Sequence, residues 1–236
     1  MAALFRYAPE IVERFPAIAG GVVHASGVLG GASPAALVEE FAAAQAEVRA
    51  RIGDTPLSEI PSLAAWRRVF RGFGVDPTQY RSAAEALLRR LVKQGELPTI
   101  GTLVDLANLV SIRHALPVAV FDLASVDGEI SVRPARGDEP WIDLGSSTTD
   151  HPAPGEVIFS DGSGSVVARR WCWRQSAGSA ASPSTTEVLV TVEGHHDGAR
   201  ADVSAAVDDL ERLLTAHASA GNVRRGLVTA AAPSFG

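Results

Sequence analysis

The chain lacks several features that would narrow its chemistry. It has a single cysteine, Cys172, so no internal disulfide can form. No apolar run approaches the roughly 18 residues that a bilayer span needs. The opening "MAALFRYAPEIVERFP" is broken by Arg6, Glu10, Glu13 and Arg14 and does not read as a secretory signal. There is no Gly-rich phosphate loop, no H-E-x-x-H and no G-x-S-x-G. "GSGS" follows a predicted strand but leads into another strand, not a helix. Basic residues are in the minority, 21 Lys and Arg against 27 Asp and Glu, for a net charge of −6. A dedicated non-specific nucleic-acid binder is normally basic, so DNA is not an expected partner. Together these point to a cytoplasmic protein with no membrane association, no metal and no cofactor.

What is present is ample for a core, with 236 residues of which 46% are hydrophobic. "IAGGVVHASGVLGGAS" reads as a strand with a loose exit. Ser33 is placed to cap the helix "PAALVEEFAAAQAEVRARI", with Pro34 at its first position. "SLAAWRRVFRGFG" reads as a second helix closed by glycine, and "DPTQYR" as a turn. Ser82 and Glu85 form a capping box for a helix that ends at Gly95. Thr102 and Asp105 open another that runs to about His114. Strands follow. "PVAVFDL" and "EISVRPA" flank Asp127-Gly128, a hairpin signal. "EVIFSD" and "SVVARRWCW" flank a second turn, and "TTEVLVTVEG" is a further strand. "DVSAAVDDLERLLTAHA" has the period of an amphipathic helix, and "VTAAAPSFG" reads as a frayed tail. Helices early and sheet late predict an α+β fold. Its expected form is one domain of mixed β-sheet layers with helices packed on one side. A lead-in covers residues 1–14, the domain 15–218 and a tail 219–236.

Several residues are candidates for function. Asp105 and Asn108 stand three apart on one helix face, amid apolar neighbours. Asp105 is expected to bond to adjoining backbone as a structural polar group, as is Asp122. Asn108 is expected to border a pocket. In "RRWCWRQSAGSAASPSTTE" a strand rich in Arg and Trp leads into a polar loop. Arg174 and Gln175 at its root are placed to hold a carboxylate or phosphate. Thr185 and Thr186 would close the site. Strand alternation puts Trp171 and Trp173 on one face and Cys172 on the other. Cys172 has no identifiable activating base and reads as an inert thiol. His195-His196-Asp197 reads as a polar turn, since two adjacent histidines make a weak metal signal. From Trp66 to Lys93 there are seven basic and two acidic residues. Arg67, Arg68, Arg71 and Arg81 within that run are the candidates for contact with RNA phosphates. No residue is assigned as catalytic.

"LPTIGTLVDLANLVSIRHALPVAVFDLASVDGEISVRPARGDE" resembles the B3/B4 domain of the bacterial phenylalanyl-tRNA synthetase β subunit. The resemblance rests on a hydrophobic-Asp-x-x-Asn helix, a Pro-x-x-x-Phe-Asp strand and a Gly-x-Ile-x-x-Arg-x-Ala hairpin. "FRGFGVDPTQYRSAAEALLRRLVKQGELPTI" and "ARRWCWRQS" are similar to free-standing B3/B4-domain proteins. The resemblance covers roughly Phe15 to Ala218 and is most specific in the middle third. It implies an α+β layered fold with a pocket for an aminoacyl group, and editing of mischarged tyrosyl-tRNA in the synthetase. The motif's Asp falls on Asp105 and its Asn on Asn108. Where the editing domain has Thr before that Asn, this chain has Ala107. The motif's opening Asn pair becomes Gly101 and Thr102. The editing domain's His falls on Ala119, which can neither bind a phenol nor position a water. The rest of the chain has no room for the synthetase's other modules, so a complete tRNA synthetase is not implied.

Two functions follow from the resemblance. One is a trans-acting editing hydrolase that deacylates a mischarged aminoacyl-tRNA. The other is a non-catalytic module that binds an amino acid, a small amide or an RNA end. The partner implied is an aminoacyl-tRNA or an aminoacyl-like small molecule.

Overall fold

A strand as continuously apolar as "EVLVTVEG" needs cover on both faces. In the computed structural model, which describes residues 3–236, it has both. It is an inner strand of a four-stranded antiparallel sheet. The spatial order is β11 (Asn222–Thr229), β2 (Ala19–Ser26), β10 (Glu187–Gly194) and β3 (Val118–Asp122). Successive side chains of a strand point to opposite faces. Val188, Val190 and Val192 of β10 therefore join a core with the helices, and Leu189 joins a second, aromatic core.

On the first face lie α5 (Thr102–His114) and α6 (Ala199–His217), with α2 (Ala35–Ile52) and α4 (Ala83–Gln94) packed against α5. The second face meets a six-stranded mixed sheet. Its order is β12 (Ser234–Phe235), β1 (Phe5–Tyr7), β4 (Ile130–Pro134), β7 (Val157–Ser160), β8 (Val166–Arg169) and β9 (Arg174–Gln175). β1 runs parallel to β4. A small ribbon pairs β5 (Trp141–Ile142) with β6 (Thr149–Asp150). The helices α1 (Pro9–Arg14) and α3 (Pro61–Gly72) supply Ile11, Trp66 and Phe70 to the aromatic core between the sheets. The architecture is α+β, with mixed sheets and helices in layers. Among the described residues no helix is long and apolar enough to cross a membrane.

Local signals held at α4. Ser82 Oγ accepts the Glu85 N–H at 3.3 Å, and Gly95 takes the left-handed conformation after the last turn. Elsewhere the long-range pairing differs from the local reading. "PVAVFDL" and "EISVRPA" are not a hairpin, because β3 pairs with β10 while β4 pairs with β1 and β7. Gly128 does take a turn conformation at φ 64°. The chain nevertheless leaves β3 through a 3-10 turn capped by Asp122 and crosses to the other sheet. The expected frayed tail is also corrected. β11 pairs with β2 along its whole length, and β12 pairs with β1. The lead-in likewise contains β1, an inner strand. Ser33 does not cap α2; its hydroxyl donates to Asp105 Oδ2 at 2.5 Å, and Pro34 occupies the cap position.

Candidate functional site

Alternation along β10 sends Thr191 and Glu193 toward the six-stranded sheet, on the face of Leu189. Glu193 is buried at the end of the strand, where a charged group needs partners. Its Oε1 accepts the Tyr7 hydroxyl at 2.7 Å and the Trp171 indole N–H at 3.0 Å. Its Oε2 has no hydrogen-bond partner among the described residues. Burial raises the Glu193 carboxyl to about 7, against the two donated hydrogen bonds, which act to lower it. The Tyr7 hydroxyl is pushed up well above its ordinary value, first by burial and then by the Glu193 charge.

Trp171 reaches Glu193 through a break in the strand. The predicted strand "SVVARRWCW" stops at Arg169, and Arg170 and Trp171 adopt left-handed φ of 45° and 59°. Such backbone is unfavourable for bulky residues and persists where the surroundings hold it. Here Glu156 holds it. Glu156 accepts two hydrogen bonds from the Arg169 guanidinium, at 2.9 and 3.0 Å, and the Arg170 N–H at 3.1 Å. The expected alternation of Trp171, Cys172 and Trp173 is therefore corrected, and all three line one cavity.

That cavity has a volume of about 110 Å³. Phe159, Ala168, Trp171 and Trp173 form its apolar walls. Thr191 and Glu193 lie at its buried end, beside Ala119, the cross-strand partner of Thr191. Arg174 and Gln175 stand at its exposed end. The Arg174 guanidinium pairs with Asp143 at 2.5 Å and stacks on the Trp173 ring, 4.8 Å from its centroid. Gln175 Nε2 donates to the Val120 and Ser179 carbonyls at 2.7 and 2.9 Å, leaving its amide oxygen without a partner among the described residues. Cys172 is in the wall, and burial pushes its thiol well up, which keeps it protonated.

The other candidates lie elsewhere. Thr185 and Thr186 line a separate open groove with Thr102 and His217. Thr185 is buried, and its hydroxyl donates to Asp122 Oδ2 at 2.7 Å. Asp122 Oδ1 accepts the Ala124 N–H at 3.0 Å. Asp105 is fully buried and accepts the Ile100 N–H at 2.8 Å as well as the Ser33 hydroxyl. Asn108 is half-buried on α5 and does not line the cavity of Glu193. His195 sits in an aromatic box, its ring 4.7 Å from Trp66, 5.1 Å from Trp171 and 6.1 Å from Phe15 between centroids. Burial, aided by the His196 charge, lowers it to about 3. His196 pairs with Asp202 at 2.8 Å. Among the described residues no group of three or more His, Cys, Asp or Glu is gathered to hold a metal.

The arginine run divides in two. Arg67 makes a two-pronged bond to buried Glu85, at 3.0 and 2.7 Å, and Arg81 stands 3.6 Å from the same carboxylate. Arg68, Arg71, Arg89, Arg90 and Lys93 are exposed.

The family model of the B3/4 domain matches residues 65–208, more than half of the chain. The chain belongs to the B3/4 domain family. Among curated proteins, the phenylalanine–tRNA ligase beta subunit of Chromobacterium violaceum is 34% identical over 76 residues. The match takes in 32% of this chain and 10% of that subunit. A solved N-terminal fragment of the phenylalanyl-tRNA synthetase beta-subunit from Pyrococcus horikoshii has a TM-score of 0.45 at 10% identity. That likeness covers 91% of this chain and 48% of the fragment.

Every residue lining the cavity falls within the matched B3/4 span. Tyr7, which holds Glu193 in place, lies outside it. Glu193 itself was missed in the sequence. Its signal was an acidic residue two places from a threonine in an otherwise apolar strand, so that both share one face.

Proposed function

We propose that this B3/4-domain protein is a trans-acting editing hydrolase that deacylates a mischarged aminoacyl-tRNA. The observation that carries the reading is the Glu193 carboxyl, buried with one oxygen unbonded, in a small cavity whose outer end bears Arg174 and Gln175. Such a dead end suits a side chain attached to something too large to enter. The aminoacyl side chain enters, and the ester stays at the mouth with the RNA outside. The unpartnered Gln175 amide oxygen is an acceptor for the attacking water, and Arg174 is a donor for ribose or phosphate oxygens. Water adds to the ester carbonyl, the bond to the ribose oxygen breaks, and that oxygen leaves as a hydroxyl carrying a proton from the water. Holding water against an activated ester gives rate without a side-chain nucleophile. The exposed Arg68, Arg71, Arg89, Arg90 and Lys93 offer phosphate contacts. Asn108 has no part in this site.

The test is deacylation of a panel of radiolabelled aminoacyl-tRNAs, mischarged pairs included, at low salt. Release of one amino acid well above spontaneous hydrolysis is expected. Flat traces with folded protein overturn the reading. One observation favours a second reading, binding without turnover: the cavity contains no histidine, and its thiol is held protonated. In that case a small amide ligand raises the Tm with no hydrolysis on the same panel.

A further inference from the structure

The size and polarity of the cavity narrow what can enter it. A cavity of about 150 Å³ accepts benzene. At about 110 Å³ the space behind Arg174 and Gln175 is smaller than that cavity. It can hold a short side chain of a few atoms. Its walls are apolar, so a second charge would enter without solvation, at high cost.

The buried end is different. Thr191 and Glu193 are two residues apart on β10 and share its inner face. Neither Thr191 Oγ1 nor Glu193 Oε2 has a hydrogen-bond partner among the described residues, although both residues are almost wholly buried. Each contributes to the cavity lining. Two polar groups on the lining of one small space, a hydroxyl and a carboxylate oxygen, are matched by a ligand atom that can both donate and accept. A hydroxyl does both. The facing Ala119 keeps the space short on the β3 side.

We propose that the cavity selects a small hydroxylated aminoacyl group, threonyl or seryl, through Thr191 and Glu193, and excludes aromatic side chains by volume. The proposal rests on the aminoacyl reading above and adds its substrate class.

The test is equilibrium binding of amino-acid amides to the full chain by calorimetry, run beside the deacylation panel. Threoninamide and valinamide are matched in shape and differ in the hydroxyl. A site built to bond a hydroxyl rejects the analogue that lacks it, whereas an apolar pocket barely separates the two. Threoninamide is expected to bind at least about 10-fold tighter than valinamide. Tyrosinamide should not bind. In Thr191→Val the preference for threoninamide should shrink toward unity, and in Ala119→Leu all amides should lose affinity. Equal affinity for threoninamide and valinamide, measurable binding of tyrosinamide, or no binding of any amide overturns the proposal. Because the amides report on the cavity alone, a preference for threoninamide with a silent deacylation panel sinks the hydrolase reading and leaves the pocket assignment standing.

Discussion

Gly20 leaves open the space in which the Tyr7 hydroxyl meets Glu193. A Cβ at Gly20 would stand 2.3 Å from Tyr7 Oη and 2.7 Å from Val228 Cγ2. Gly20 is paired with Glu193 across β2 and β10, so the clash falls on the bond that fixes the carboxyl. Gly20→Ala should lower stability by about 2 kcal/mol, the usual size of an overpacked core site. It should also raise the Glu193 carboxyl further, because a bond that lowers it is lost. Urea denaturation and carbon NMR of the carboxyl report the two effects. Adding Tyr7→Phe removes the struck oxygen and should recover part of the stability. No recovery would show that the Val228 contact dominates.

The pH dependence follows from two buried groups with opposite signs. Glu193 titrates near 4.5 when unfolded and near 7 in the fold. As pH rises through that interval the unfolded chain gives up a proton that the fold keeps, so stability falls. The total is on the order of 3 kcal/mol. His195 titrates near 6.5 unfolded and near 3 folded, so its contribution falls as pH drops below 6.5. Between about 4.5 and 6.5 the two slopes oppose each other. Glu193→Gln removes one of them while keeping an oxygen for Tyr7 and Trp171. Its stability should rise with pH across that window and exceed that of the unaltered chain above pH 7. Parallel curves for the two proteins would falsify the assignment of a high carboxyl to Glu193.

The arginines of the basic run should separate by assay. Arg67→Ala leaves Glu85 buried with only the more distant Arg81, and should cost about 3 kcal/mol of stability, as broken buried pairs do. Arg68→Ala and Arg71→Ala are exposed changes and should stay within about 0.5 kcal/mol. If RNA is the partner, each of the latter two should reduce the slope of log K against log salt by about 1. Filter binding at several ionic strengths measures this. An unchanged slope removes those residues from the interface.

Thr185 and its neighbour Thr186 offer a controlled pair. Thr185→Val takes the donor from Asp122 Oδ2 and the acceptor from the Ser182 N–H, a loss of about 1–3 kcal/mol. Thr186→Ala is exposed and should be near neutral in thermal melts. Equal effects would mean that the Asp122 bond does not anchor this loop.

Which features could be read in the sequence follows from how local they are. The cap at Ser82, the glycine stop at Gly95 and the periodic face of α6 involve residues a few positions apart, and all were legible. The Asp127-Gly128 signal was a true turn feature, but the partners of β3 and β4 lie far away in sequence. Turn chemistry alone does not specify pairing. The left-handed step at Arg170 and Trp171 carries neither Gly nor Asn, so nothing local marks it, and the cavity depends on it. The alanine-rich segment after Thr229 resembles a loose end, yet it returns to pair with β1. For the site, Ala119, Arg174 and Gln175 line one cavity, a juxtaposition that no local pattern marks. Thr185 and Thr186 went to another groove, and Asn108 went to a helix face that the cavity does not reach.

Phe5 and Phe235 are direct partners across β1 and β12. The first and last described strands therefore lie side by side in one sheet, with β12 at its edge. Paired strands of that kind can be linked to other sequence at both points without prying the layers apart. The Tyr7–Glu193 bond lies two residues from that pair. A splice made there would be felt first at the carboxyl, which makes its titration a direct gauge of whether a rearranged version has assembled correctly.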